Sequence, residues 1–372
     1  MKKITLLILL SLSFSAFSQI KGKITDSNKN PISFVSIYLD KTTTGTTSND
    51  EGNYELNIKT LGNYTVIFQF LGYKTIKKIV SISEFPFQLD VVMDDEKVVL
   101  DEISISTGEN PANKIIKKAI ENKNINTDKF KKYTLDFYSR GLFKVKNAPD
   151  KILGKSLGDL GGGLDSTRTG IVYLSETVSE ITFQKKPSKF KEKIIASKVS
   201  GSDNGISFNR AEEVNFDFYR NAVLIADNNL VSPIADRAFS FYTYKLEGSF
   251  YDKNEKLISK IKVTPKQTGD RVFKGFIYIV EDEWAIYGVD LIANGKQVGI
   301  PIIDELRFKQ NYNYSAINKA WVKISQTIDF KFGVFGFKVN GRFSAGYTNY
   351  NFKPSFSKKT FTRNRKLPFS SF

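Results

Sequence analysis

The chain has 372 residues, with 55 Lys or Arg against 39 Asp or Glu, and it contains neither histidine nor cysteine. Without Cys there is no disulfide and no thiolate nucleophile. Without His the commonest zinc ligand and general base are gone, together with Ser-His-Asp and Cys-His machinery.

The formal net charge of +16 rests on lysine, since only 10 of the basic residues are Arg. A hydrated point charge suits general solvation better than bidentate phosphate recognition, so nucleic acid is not an expected partner. Anionic lipid or polysaccharide surfaces suit it better, although a solvated Lys-rich face needs no partner at all.

Residues 1–18 have the layout of a secretory signal. Lys2 and Lys3 precede an apolar run from Ile4 to Phe17, and Ala16 and Ser18 are the small residues before expected cleavage at Gln19. The run is shorter than the roughly 20 apolar residues that span a bilayer. Export out of the cytoplasm, with cleavage of the signal, is therefore expected. No Cys is present to carry a lipid anchor, and losing Lys2 and Lys3 takes the charge from +16 to +14.

Residues 19–94 alternate short β-prone runs with turn residues. Strands are predicted at 20–25, 33–39, 45–48, 53–58, 64–70, 74–80 and 87–93, seven in all, as an antiparallel sandwich requires. The breaks carry Asn30-Pro31, Asn49-Asp50-Glu51-Gly52 and Leu71-Gly72. Asn49 to Gly52 lacks the ligand spacing of a calcium loop and reads as a plain turn.

Gly22-Lys23-Ile24, Pro31-Ile32, Val35-Ser36-Ile37, Gly45 through Tyr54, and Phe70-Leu71-Gly72-Tyr73-Lys74 resemble the carboxypeptidase-regulatory-like domain. The resemblance implies a seven-stranded transthyretin-like β-sandwich without catalytic residues. The family name comes from an accessory domain of metallocarboxypeptidases, and a chain without His has no such zinc site.

Residues 95–128 read as a linker strand, Val98 to Ile105, followed by a helix. Asn110 suits the N-cap and Pro111 the first helical position. Ile115, Ile116, Ala119 and Ile120 form its apolar stripe, and the segment 122–128 is expected to end it.

Residues 129–352 are expected to form a larger antiparallel β-rich α+β domain. Strands are predicted at 133–143, 171–183, 239–251, 258–264, 273–280, 285–293, 306–314 and 321–330. Helical pieces are predicted near 213–221 and 233–238, and flexible loops at 154–163 and 201–205. Phe335, Phe337, Val339, Phe343, Ala345 and Tyr347 alternate with small and polar residues. That fits a membrane strand or a long strand of a soluble sheet, and the latter is expected because one strand cannot make a barrel. Residues 353–372 form a basic tail.

Gly108 to Ala112, Tyr133 to Ser139, Asn215 to Tyr219, Ser232 to Ala235, Tyr242 to Gly248 and Ile261 to Lys266 resemble outer-membrane proteins. Those proteins join a carboxypeptidase-regulatory-like domain to a long domain of unknown function and usually end in a membrane β-barrel. That resemblance implies the envelope of a Gram-negative bacterium, at the periplasm or outer membrane; after Phe352 only a short basic tail remains, so a natural short form or a fragment lacking the barrel is expected. The stretch from Phe276 to Ile324, with Trp284 between two strands, is also similar to the half-barrel of periplasmic lipoprotein carriers. An ordinary sheet with one buried face is the plainer alternative.

No catalytic, cofactor-binding or metal residue rises above its surroundings. Gly154-Lys155-Ser156 lacks the glycine a phosphate loop needs, since Pro149 stands at that place. Ser355 and Lys358 have nucleophile-pair spacing but lie in the basic tail. Glu212-Glu213 and Glu281-Asp282-Glu283 are adjacent carboxylates that a strand would turn to opposite faces.

The function expected is a non-enzymatic structural or binding module of the cell envelope, associated with the outer membrane or its components. The alternatives are a lipid or lipoprotein carrier using a half-barrel cavity and a carboxylate-based hydrolase. No cofactor is expected, and no protein partner can be named from sequence.

Overall fold

The computed structural model describes residues 19–40, 42, 44–97, 110–152, 155–156, 158, 163–201, 210–212, 214–225, 227–316, 318–334, 337–357 and 359–361. The signal segment, the predicted strand at 98–105 and most of the loops at 154–163 and 201–205 lie outside these residues. So do residues 362–372 of the tail. The fold is mainly β. The chain divides into two compact units, 1–99 with 250–256 and 100–249 with 257–372. Among the described residues no helix is long and apolar enough to cross a membrane.

The first unit contains β1 (Gln19–Asp26), β2 (Ser36–Leu39), β3 (Gly45–Thr47), β4 (Asn53–Asn57), β5 (Gly62–Gln69), β6 (Ile76–Ile82), β7 (Phe87–Gln88) and β8 (Val91–Met93). One sheet has the order β4-β1-β7 with β8 also on β1, and the other runs β3-β2-β5-β6. Their inner faces supply Ile20, Ile24, Val35, Ile37, Leu56, Val66, Phe68 and Met93 to one core.

The predicted strand at 87–93 is present but broken. Leu89 donates its N–H to the Lys21 carbonyl, and Asp90 Oδ1 accepts from the Lys23 N–H, each at 2.8 Å. A Cβ on Gly22 would sit 2.0 Å from the Leu89 oxygen, so only glycine allows this approach. Asn49 Oδ1 accepts from the Glu51 and Asn53 N–H groups at 3.0 and 2.9 Å. Gly52 takes φ +78 in the same turn, so residues 49–52 form an Asx-type turn.

The second unit opens with α1 (Pro111–Asp128), which Asn110 caps through Oδ1 to the Ala112 N–H. The helix runs to Asp128, past the stop expected from 122 onward. Its buried stripe of Ala112, Ile115, Ile116 and Ala119 continues through Lys123 and Asn126, two polar residues at helical spacing whose head groups find partners inside the unit.

The strands that follow are β9 (Lys132–Lys146), β10 (Lys151–Ile152), β11 (Lys155–Ser156), β12 (Gly170–Gln184), β13 (Lys189–Gly201), β14 (Ala222–Ile225) and β15 (Asn228–Val231). After α2 (Ala238–Phe241) come β16 (Tyr242–Tyr251), β17 (Leu257–Pro265), β18 (Lys274–Val280) and β19 (Ala285–Ala293). Then α3 (Gly295–Val298) leads to β20 (Ile303–Ser315), β21 (Ala320–Val334) and β22 (Phe337–Asn351).

Ten of these strands form one open sheet in the order β13-β12-β9-β22-β21-β20-β19-β18-β17-β16. Its described ladders are antiparallel, and no closed barrel forms. From Phe337 onward the alternating stretch is β22, an interior strand between β21 and β9. Val339, Phe343, Ala345 and Tyr347 are its buried side. The helical pieces expected at 213–221 and 233–238 are instead turns, with α2 as a single short turn of helix after them. Serial hydrogen bonds to side chains replace the helical ladder there: Phe216 and Val214 give their carbonyls to Gln310 and Gln326.

Candidate functional site

The one face of the large sheet that the 210–221 segment and α1 cover is not filled to its end. Phe137, Leu135 and Tyr133 of β9 stand opposite Tyr347 of β22 and Ile181 and Phe183 of β12. Between this row, the C-terminal half of α1 and the turn at 215–221 lies a cavity of about 600 Å³. That is within the usual range for small-molecule sites. Its lining combines aromatic side chains, chiefly Tyr133, Phe183, Phe190, Tyr312, Trp321 and Tyr350, with a comparable share of polar and charged ones. Tyr133 and Phe183 stack at 4.9 Å, and Tyr350 and Phe352 at 5.3 Å.

A bulge shapes the floor. Gln310 faces Gln326 across the β20–β21 ladder, yet Tyr312 faces Lys323. One extra residue in β21 therefore resets the alternation. Unbroken pairing would turn Lys323 to the side away from Gln326; the bulge turns Lys323 and Trp321 into the cavity. Trp321 Nε1 donates to Glu283 Oε2 at 3.0 Å, which holds the indole in place.

Most charge on the lining is already neutralised. Lys123, only 5% exposed, donates to Asn221 Oδ1 at 2.6 Å and pairs with Asp236 at 2.5 Å. Arg220 pairs with Asp217 at 3.5 Å, and Lys185 with Asp128. Lys323 differs. Its Nζ lies 4.7 Å from the centre of the Tyr347 ring and 3.5 Å from Asn215 Oδ1, with no carboxylate in ion-pair range among the described residues. Burial pushes the Lys323 ammonium down to about 8, and the more distant Asp217 partly opposes that.

Tyrosine hydroxyls crowd the same region. Tyr350 donates to the Lys323 carbonyl at 2.7 Å, Tyr312 to Gln310 Oε1 at 3.0 Å, and Tyr219 accepts the Ile286 N–H at 2.8 Å. The Tyr347 hydroxyl is buried and has no hydrogen-bond partner among the described residues. Burial pushes the Tyr133 phenol up to about 12 and that of Tyr347 still higher, so both are uncharged near neutral pH.

Of the acidic clusters singled out in sequence, Glu212, Glu281, Asp282 and Glu283 are not on the cavity lining. Glu281 is held by Ser259 Oγ and Glu283 by Trp321, while Glu213 lies outside the described residues. Of the other motifs, Gly154 and Lys358 also lie outside them. Lys323 and Tyr347 carried no local signal, being ordinary alternating residues of two strands. Only the bulge and the β9–β22–β21 order bring them together.

A family model described as a family of unknown function, DUF5686, matches residues 115–350. A second model, the CarboxypepD_reg-like domain, matches residues 20–105. No curated protein matches the chain.

Among solved structures, a DUF1329 family protein from Desulfovibrio piger is 11% identical over 68% of this chain and 98% of its own, at a TM-score of 0.28. The MucA/MucB complex of Pseudomonas aeruginosa gives 9% identity over 64% of this chain and 99% of its own, at 0.18. A type II cohesin-X-dockerin complex from Acetivibrio cellulolyticus gives 19% over 20% of this chain, at 0.17, and the chain spans just over half, 56%, of that one. At TM-scores this low the likenesses carry no functional argument.

Proposed function

Because the chain belongs to the family of unknown function DUF5686, with a CarboxypepD_reg-like domain ahead of it, we propose its function from the cavity itself. The protein is a non-enzymatic binding module of the cell envelope, exported to the periplasm or outer membrane. Its second unit holds an apolar or amphipathic envelope component, such as a lipid or a lipoprotein acyl chain.

The observation that carries this reading is the cavity of about 600 Å³ floored and walled by aromatic side chains. Aromatic rings offer a large apolar surface at low conformational cost, and their polar tips let one wall serve both ends of an amphiphile. The two carboxylates on the lining, Asp217 and Asp236, are each committed to a cation. That favours binding over a carboxylate-based hydrolase, which needs one carboxyl free to protonate and another free to attack.

Native mass spectrometry of residues 19–372, isolated gently from envelope membranes, tests the proposal. A co-purifying acyl mass is expected. Thr127→Trp, which places an indole at the helix-side rim of the cavity, should release it. A bare mass for the unaltered protein, or a ligand that Thr127→Trp leaves bound, would overturn the cavity reading.

A further inference from the structure

The residues on the cavity floor specify more than an apolar occupant. Three of the four cations on the lining are matched: Lys123 by Asp236, Arg220 by Asp217 and Lys185 by Asp128. Lys323 is the one with no ion pair among the described residues, and its hydrogen bond to the amide oxygen of Asn215 is a long 3.5 Å. A half-buried ammonium without a counter-charge is unfavourable, and the lowered proton affinity of Lys323 registers that cost. Beside it stands Tyr347, only 7% exposed, whose ring lies 4.7 Å beneath Nζ and whose hydroxyl has no hydrogen-bond partner among the described residues. A buried hydroxyl is normally hydrogen-bonded; this one is unpaired and covered by its neighbours, so a ligand oxygen reaches it only with a small shift of the cavity wall.

An anion answers both needs. A carboxylate or phosphate oxygen would accept from Nζ of Lys323 and from the Tyr347 hydroxyl, and a charge-assisted hydrogen bond is among the stronger polar contacts. The aromatic walls formed by Tyr133, Phe183, Trp321 and Tyr350 would then cover the apolar body that the anion heads.

We propose that Lys323 and Tyr347 form a head-group site selecting anionic amphiphiles, molecules with a carboxylate or phosphate on an apolar body. The assignment rests on the reading of the cavity as a ligand site and adds the sign of the ligand's charge. The groups that face Lys323 are Asp217, already shared with Arg220, the Asn215 amide and the tyrosines; none supplies a full counter-charge at contact distance.

Isothermal titration of the mature protein with dodecanoate, dodecanol and dodecyltrimethylammonium reads the proposal directly. Dodecanoate should bind roughly tenfold or more tightly than dodecanol, with the cationic chain weakest. Lys323→Met should bring dodecanoate down to the dodecanol level. Tyr347→Phe, which removes one oxygen and keeps the ring, should weaken dodecanoate several-fold and narrow its advantage over dodecanol. Both variants are checked for folding by their near-ultraviolet circular dichroism.

Equal binding of dodecanoate and dodecanol to the unaltered protein, or a preference for dodecanoate that survives Lys323→Met, overturns the head-group site while the cavity reading stands. Binding of neither chain overturns both. If dodecyl phosphate binds and dodecanoate does not, the head-group site stands with phosphate as its anion; inorganic phosphate binding equally well overturns the amphiphile.

Discussion

Gln310 Nε2 donates to Gln326 Oε1 at 2.6 Å across the β20–β21 ladder, on the buried face of the sheet. The pair is the base of a polar chain. Gln310 also donates to the Phe216 carbonyl at 2.7 Å, and Gln326 Nε2 to the Val214 carbonyl at 2.6 Å. Two side-chain amides thus take up backbone carbonyls of a segment that makes no regular ladder of its own. This fastens the turn at 214–217 to the sheet and puts Asn215 and Asp217 at the cavity. Gln326→Leu would leave the Val214 carbonyl and one Gln310 donor unpaired in a buried place. A loss of about 1–3 kcal/mol is expected in urea denaturation, with faster amide exchange concentrated at residues 214–218.

Phe330 lies over Gly341 in the neighbouring strand, and a Cβ built on that glycine would stand 1.8 Å from the ring. Phe330 also meets Phe143 at 5.0 Å between ring centres, so it has little room to move aside. Gly341→Ala should cost about 1–3 kcal/mol through overpacking. Thermal unfolding measures this, and restoring stability by the double change Gly341→Ala with Phe330→Leu would confirm that the ring is what the methyl group strikes.

Lys123 tests whether the polar end of the α1 stripe carries stability. Lys123→Met keeps the stem but removes the bonds to Asn221, Asp236 and the Ile234 carbonyl. About 1–3 kcal/mol of stability should be lost, since buried acceptors go unpaired. Removing the exposed Lys118 partner of Glu121 on the same helix should change stability by less than about 0.5 kcal/mol. Equal effects from the two substitutions would contradict the anchoring role of Lys123.

The pH dependence of Lys323 has a definite sign. Its folded-state value of about 8 lies below the ordinary lysine value of 10.5, so the unfolded chain holds this proton more tightly than the folded one. The penalty is complete below about pH 8 and fades as pH rises from there toward the unfolded value. Lys323→Met should therefore raise the melting temperature near neutral pH, and the gain should shrink toward about pH 10. The preference for dodecanoate over dodecanol should decline in the same direction, as the ammonium loses its charge. A melting-temperature gain that is constant with pH would rule out titration of Lys323 as its source.

Much of the architecture was legible in the chain itself, because it depends on neighbours in sequence. The seven runs of residues 19–94, with Asn49 to Gly52 and Leu71-Gly72 between them, give the strands of the sandwich through period-two alternation and turn chemistry. Asn110 and Pro111 mark the start of α1 for the same local reason. The end of α1 was not legible. Lys123 and Asn126 look like surface residues in sequence and are buried only because Asn221, Asp236 and the Glu283 and Trp284 carbonyls wait for them, up to 158 positions away.

The cavity belongs wholly to tertiary structure. Lys323 and Tyr347 sit in two ordinary alternating strands. A single extra residue in β21 decides that Lys323 points inward, and the β9–β22–β21 order decides that Tyr347 lies under it. Register has a period of two residues, so one inserted residue exchanges the faces of a strand. Composition and alternation are unchanged by that exchange, and for that reason the chain determined its strands while the ladder between β20 and β21 determined its site.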